Sequence, residues 1–339
     1  MIDARDEPFM RRALALAERG WGQTAPNPMV GAVVVRDGEV VGEGWHETYG
    51  EAHAEANAIA RAGDAAAGAT LYVTLEPCNH SGKTPPCANA VIAAQIGRVV
   101  IATRDPGVDS GGGVEALRAA GIEVDVGLLE SDARELNAAF FHAFVSDRPW
   151  VTLKLALSID GAIADSQRGR AWLTNDLSRA EVHRIRANAD AIAVGAITYA
   201  TDRPELTVRG RIQPRVPPVR VVFDPDGKYS AGRTSVLEEF NGITFVRVAD
   251  LAASLRALRA RGIRSLLVEG GASLASSMLD AGLVDRLVIF QAPIVLGGGA
   301  LAAFGATLPR VAADVRRLPI LRRQNFDDDL MTIYALHAV

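Results

Sequence analysis

His53-Ala54-Glu55, Pro77-Cys78 and Cys87 are the residues of this sequence best equipped for chemistry. One imidazole and two thiolates give zinc three protein ligands, and a catalytic zinc keeps its fourth position for water. Zinc lowers the pKa of such a water to roughly 7, so hydroxide is available at neutral pH. Glu55 lies close enough along the chain to reach that water without binding the metal. It can take the water proton and pass it to a ring nitrogen and a leaving amine, the general acid–base work of a zinc deaminase. His80 lies between the cysteines, but three ligands suffice and it stands outside the set. The competing reading makes His53 a helix cap and the cysteines buried hydrophobes. The conjunction of the histidine–glutamate pair, a Pro-Cys and a helix-initiating cysteine weighs against it.

The elements around these residues can hold them together. An apolar strand is expected at residues 70–75, just before Cys78, and a helix at 88–94, whose N-terminal amides favour a thiolate at Cys87. A helix over 52–62 carries Glu55, and strands at 31–35 and 39–44 meet at Asp37-Gly38, a hairpin dipeptide. Helices at 8–19, 114–120 and 136–144 and strands at 98–103 and 122–126 complete a layer on a mixed sheet. The polar turn Ser146-Asp147-Arg148-Pro149 separates two α/β domains, residues 1–147 and 148–339. Strands of the second are expected at 150–157, 191–194, 219–223, 243–246, 265–268 and 286–290, with helices between and a Pro- and Arg-rich loop at 204–218.

Within the strand at 151–157, Lys154 shares a face with Thr152 and Ser158, and Asp160 sits in the turn beyond. Ligands of open α/β sheets bind at such strand ends. Val268-Glu269-Gly270-Gly271-Ala272-Ser273 runs from a strand through a glycine pair into a helix, a place where free amides suit a pyrophosphate. It is not the G-x-G-x-x-G of a Rossmann domain.

Composition narrows the remaining classes. Nearly half of the 339 residues are hydrophobic, so a folded chain is expected. A net charge of −4 offers no global field for nucleic acid, and no apolar run could cross a membrane. Residues 1–20 pattern as an amphipathic helix rather than a secretion signal, and two cysteines in a reducing compartment more often bind metal than pair. A cytoplasmic enzyme, working as a homo-oligomer without nucleic-acid or membrane partners, is the expectation.

The eight residues between Cys78 and Cys87 depart from the commonest deaminase spacing of two. That longer segment, Leu75-Glu76-Pro77-Cys78-Asn79-His80-Ser81-Gly82-Lys83-Thr84-Pro85-Pro86-Cys87, together with Thr24-Ala25-Pro26-Asn27-Pro28-Met29-Val30-Gly31-Ala32, resembles the bifunctional riboflavin-biosynthesis deaminase–reductases. So do Leu153-Lys154-Leu155-Ala156-Leu157-Ser158-Ile159-Asp160-Gly161, Asp190-Ala191-Ile192-Ala193-Val194-Gly195 and Val268-Glu269-Gly270-Gly271. The resemblance spans nearly the whole chain. It implies a cytidine-deaminase-like domain followed by a dihydrofolate-reductase-like α/β domain, with Zn2+ and NADPH as cofactors. The first would deaminate a diaminopyrimidinone ribosylamine phosphate, and the second would reduce its opened ribose to a ribityl chain.

Residue roles follow from the resemblance. Asn27 and His46 would contact the pyrimidine and Lys83 the ribose phosphate of this small phosphorylated substrate. Lys154, Trp172, Thr198, Asp202, Gly271, Ala272, Ser273, Leu274, Ala275, Ser276 and Ser277 would touch the dinucleotide. Arg186, Leu206, Arg209 and Glu269 would line the sugar-phosphate site. Glu55 and Lys154 are the expected catalytic residues, with Asp202 and Glu269 as further candidates for the reductase proton donor. Two departures stand out: Arg170 where the family usually has Ser, and a short loop at 105–108. A deaminase of free nucleosides or tRNA and a structural zinc module with a sensing domain are the alternatives. Lys83 and the acidic balance disfavour the first, and Glu55 the second.

Overall fold

A computed structural model of the chain describes residues 2–168, 172–229, 236–247, 250–305, 307, 308, 311, 315 and 317–337. The chain divides into two compact units, one running to Val145 and the other starting at Ser146. Arg170 lies outside the described residues.

The first unit comprises α1 (Glu7–Ala17), β1 (Gly31–Arg36), β2 (Glu39–Trp45), α2 (Ala54–Ala62), β3 (Thr70–Leu75), α3 (Cys87–Ala93), β4 (Arg98–Thr103), α4 (Gly113–Ala119), β5 (Glu123–Val126), α5 (Glu130–Leu136) and α6 (Ala138–Val145). Its sheet runs β2-β1-β3-β4-β5 and is mixed, as expected: β1 is antiparallel to β2 and β3, and β3, β4 and β5 are parallel. Asp37 and Gly38 both take positive φ, and Arg36 pairs with Glu39, the geometry that a two-residue hairpin needs. One sheet face packs Ala54 and Ala58 of α2, Ala88 and Val91 of α3 and Leu117 of α4 against Val34, Leu71, Val73 and Ile101. The other carries Met10, Ala13 and Leu16 of α1 on Val33, Tyr72 and Val100.

Close approach sets the position of α2. A Cβ on Gly44 would stand 2.2 Å from the Ala54 carbonyl oxygen, so only glycine lets the start of this helix rest on β2. Two of the departures from the expected helices bear on the site. The helix expected from 52 begins at Ala54, because His53 is extended at its N-cap (φ −76°, ψ 166°). The helix expected at 136–144 is instead α5 and α6, broken at Asn137, whose side chain is engaged elsewhere.

The second unit comprises β6 (Trp150–Leu157), β7 (Ala162–Ala164), α7 (Asp176–Ala187), β8 (Ala191–Gly195), α8 (Ala196–Asp202), β9 (Val219–Phe223), β10 (Leu237–Phe240), β11 (Ile243–Val246), α9 (Leu251–Ala260), β12 (Ser265–Val268), α10 (Ala272–Asp280), β13 (Arg286–Gln291), β14 (Leu301–Ala302), β15 (Ile320–Phe326) and β16 (Asp329–Ala335). Nine strands form one sheet in the order β10-β11-β9-β8-β12-β6-β13-β16-β15. The central six are parallel, so β6, β8 and β12 end on one edge. Val151, Leu153, Leu155 and Leu157 of β6 are buried with Leu255 and Leu258 of α9 and Met278 of α10. The opposite face, which carries Lys154, packs Ala156 against Val182 and Ile185 of α7.

Residues 203–218 form neither helix nor strand, as composition suggested. Between β9 and β11, where a helix was expected, the described residues form the antiparallel edge strand β10. The hairpin β15–β16 was not expected either: β15 is polar, and its residues are mostly exposed at the margin of the sheet.

Candidate active sites

In the first unit Nδ1 of His53 and the Sγ atoms of Cys78 and Cys87 lie within 4.8 Å of one another. His53 Nδ1 stands 3.2 Å from Cys87 Sγ and 3.6 Å from Cys78 Sγ. Ligand bonds of about 2.0–2.3 Å in a tetrahedron place donor atoms roughly 3.5 Å apart, so the three fit zinc. Three elements deliver them: the N-cap of α2, the segment after β3, and the first residue of α3. Cys87 starts α3 rather than preceding it, and its N–H points at Cys78 Sγ from 3.4 Å. The Cys87 thiol, with His53 and that amide assisting, lowers the Cys78 thiol to about 4 against the opposing effect of burial. Cys87 moves upward, held protonated by its bond to Cys78 and by burial. A divalent cation displaces such a shared proton. His80 is exposed and outside the cluster.

Glu55, in the first turn of α2, is buried, and burial raises its carboxyl to about 7. His46 is also buried, its ring edge-on to His53 at 5.2 Å between centroids. The Ala52 carbonyl, 3.2 Å from His46 Nδ1, can only accept, so the proton sits on Nδ1. Nε2 is then an acceptor facing the Asn27 amide nitrogen at 3.3 Å. Burial first, and then His53, keep this imidazole below its ordinary range, hence neutral. Lys83 is exposed, with Nζ 4.2 Å from the centre of the Tyr49 ring. Tyr49 belongs to the segment between His46 and His53, and its N–H reaches the Gln23 carbonyl in the loop of Asn27. The structure thus brings all the candidates of this unit to one end of the sheet.

Two buried residues that support this site escaped the sequence reading. Asn137 accepts from the Met29 N–H and donates to the Met29 carbonyl, both at 2.8 Å, and so clamps the loop of Asn27. Glu76 accepts from the N–H of Val114 at 2.9 Å and of Asp105 at 3.2 Å, which ties α4 and the loop after β4 to the segment leading to Cys78. The short loop at 105–108 closes on itself: Asp105 Oδ1 accepts from the Gly107 N–H and the Ser110 hydroxyl. Both supporting residues act on backbone far along the chain, which no local spacing reveals.

In the second unit Lys154, Arg186 and Glu269 form one half-buried ion cluster. Arg186 grips both oxygens of Glu269, and Lys154 Nζ lies 3.5 Å from Oε2. Burial alone would raise Glu269; Lys154 and Arg186 reverse this and hold it at about 2. Arg186 also donates to the Thr207 carbonyl at 2.9 Å. The Gly270–Gly271 turn lies against α8: Gly195 donates to the Gly270 carbonyl, and a Cβ on Gly271 would come within 2.5 Å of Thr198 Oγ1. Gly271 (φ 78°) is the N-cap of α10 and no side chain caps this helix. The first amides of the helix are thereby left for an anion, a cradle suited to the phosphates of NADPH.

Not every expected cofactor contact has the same access. Ser273 and Ser277 are exposed, whereas Ala272, Leu274, Ala275 and Ser276 are buried, so any contact from these four is through the backbone. Leu206 turns its side chain into the core with Ile192, Val194 and Val222. Trp172 is exposed with Arg179 over its ring. Asp202 ends α8 half-buried, and Arg209 pairs with Glu205 on the surface. Asp160 turns from the site to bind the N–H groups of Leu296 and Gly297.

A three-ligand zinc site beside a buried glutamate, followed by an α/β unit with a phosphate cradle, defines a deaminase–reductase of two units. Residues 3–103 match the cytidine and deoxycytidylate deaminase zinc-binding region, and residues 149–331 match the RibD C-terminal domain. The chain is 40% identical to the riboflavin biosynthesis protein RibD of Aquifex aeolicus, over 98% of this chain and 99% of that protein. The structure of RibD from Acinetobacter baumannii superposes with a TM-score of 0.85 at 36% identity, covering 98% of both chains. A diaminohydroxyphosphoribosylaminopyrimidine deaminase/5-amino-6-(5-phosphoribosylamino)uracil reductase from Thermotoga maritima gives 0.85 at 37% identity with the same coverage. The chain belongs to the RibD family of riboflavin biosynthesis enzymes.

Proposed function

We propose that residues 1–147 hydrolytically deaminate 2,5-diamino-6-ribosylamino-pyrimidinone 5'-phosphate, and that residues 148–339 then reduce its ribosyl group to a ribityl chain with NADPH. The observation that carries the first half is a fully buried glutamate beside a three-donor zinc site. Zinc, once bound, supplies a Lewis acid that lets water attack near neutral pH. The Glu55 carboxylate carries one proton of that water to the ring nitrogen and then the second to the departing amine, which leaves as ammonia. Neutral His46 accepts from the Asn27 amide and holds it, leaving the amide's carbonyl oxygen and second N–H for the pyrimidine edge. Lys83, held over Tyr49, receives the ribose phosphate.

In the second unit NADPH supplies a hydride to C1 of the opened ribose. The amides that follow Gly271, with Thr198 alongside, would hold its phosphates. Glu269 is a carboxylate throughout the physiological range, which removes it from the candidate proton donors. Lys154, 3.5 Å from it, is the donor, and Asp202 contacts the dinucleotide. Arg186 and Arg209 take the substrate phosphate.

A pair of substrates tests the phosphate reading of the first unit. Ammonia release from the phosphorylated pyrimidine should exceed that from its dephosphorylated counterpart, and Lys83→Ala should erase the difference. Equal turnover of both by the unaltered enzyme would assign the deaminase a nucleoside instead.

A further inference from the structure

His183 lies on α7, one helical turn before Arg186, and the activity described above gives it no part. Its Nδ1 accepts from the Arg209 N–H at 3.1 Å. The neighbouring residues of that loop are fixed by the same unit: Arg186 donates to the Thr207 carbonyl, and Leu206 is anchored in the core at φ 52°. Attachments at 206, 207 and 209 therefore hold this segment, which has no helix or strand of its own. His183 supplies the last of them, directly on the residue whose guanidinium is assigned to the phosphate.

We propose that His183 is a positioning residue of the reductase, whose neutral imidazole hooks the main chain of Arg209 and aims that side chain at the substrate phosphate. The inference rests on the phosphate reading of Arg209. A backbone N–H can only donate, so Nδ1 must be unprotonated and the ring proton lies on Nε2. Protonation would set an N–H against an N–H and release the hook. The groups facing the imidazole oppose that proton: burial first, then Arg186 on its own helix and Arg209 on the loop, with Lys154 of β6 adding to them and only Glu269 after β12 acting the other way. The hook therefore holds at neutral pH. It fails on the acid side, below the ordinary imidazole range near 6.5.

Steady-state reduction of the deaminated phosphoribosyl intermediate, followed across pH, tests this. In the unaltered enzyme KM should rise on the acid side of the ordinary imidazole range. His183→Ala should raise KM at pH 8 by about fivefold, the order of one neutral hydrogen bond, with kcat and the Kd for NADPH little changed. His183→Asn places a carbonyl oxygen where Nδ1 stood but cannot titrate. It should restore the KM of the unaltered enzyme at pH 8 and lack the acid rise, which also separates the effect from titration of the substrate phosphate. Arg209→Ala should raise KM on its own. If it does not, the reading of Arg209 and the inference fall together. If it does, and His183→Asn keeps the acid rise or His183→Ala leaves KM unchanged, the inference alone is overturned.

Discussion

At the scale of single residues, the deaminase site depends on a proton carrier that water cannot reach freely. Glu55 is buried beside Cys87, and His46 is locked in one tautomer by the Ala52 carbonyl. Glu55→Gln keeps shape and removes the proton traffic. Ammonia release should fall by about 10²–10⁴-fold, while bound zinc measured by atomic absorption stays equimolar. Unchanged turnover would dismiss the assigned mechanism. Metal removal tests the ligand set separately: a chelator should abolish ammonia release and leave NADPH oxidation on the deaminated intermediate intact. The residue types and spacings made this set legible, because zinc demands particular donors and the histidine–glutamate and Pro-Cys pairs are local. His183, Glu76 and Asn137 were not legible. Each works through a backbone group that only the folded chain brings near.

At the scale of elements, the strand β6 was readable from its alternation, since one face is core and the other carries Lys154. The hairpin at Asp37-Gly38 was readable because both positions need positive φ. The break between α5 and α6 was not, because its cause is the loop of Met29, more than a hundred residues away. Asn137→Ala should leave both Met29 backbone groups unpaired, costing about 2 kcal/mol, and should raise the deaminase KM as the Asn27 loop loosens. A melting curve paired with KM would show both, and a stability loss with unaltered KM would reduce Asn137 to a structural role. The start of α1 is held by Asp6, which accepts from Tyr72 at 2.6 Å and from both terminal nitrogens of Arg98 at 2.9 Å. Arg98 holds the Asp6 carboxyl well below its usual range despite burial. Its folded pKa being depressed, the pair contributes fully above about pH 4 and is lost as pH falls through the folded value. Asp6→Asn should lower stability at pH 7 by about 3 kcal/mol. The gap to the unaltered protein should narrow in acid; a gap independent of pH would contradict the ion-pair account.

At the scale of the whole molecule, one chain carries two units with separate cores and separate sets of reactive groups. No helix among the described residues is long and apolar enough to cross a membrane. Because the ion cluster of Lys154, Arg186 and Glu269 lies wholly in the second unit, Lys154→Ala should spare ammonia release and impair NADPH oxidation. Equal loss of both would argue for one shared site. The most direct test of the two-step account supplies the diaminopyrimidine ribosylamine phosphate and NADPH together and follows ammonia and nicotinamide absorbance in the same sample. The account predicts that ammonia appears first and that NADPH oxidation follows it mole for mole. With Glu55→Gln neither should occur until the deaminated intermediate is added, which then restores NADPH oxidation. Oxidation of NADPH by Glu55→Gln on the undeaminated pyrimidine would contradict the account.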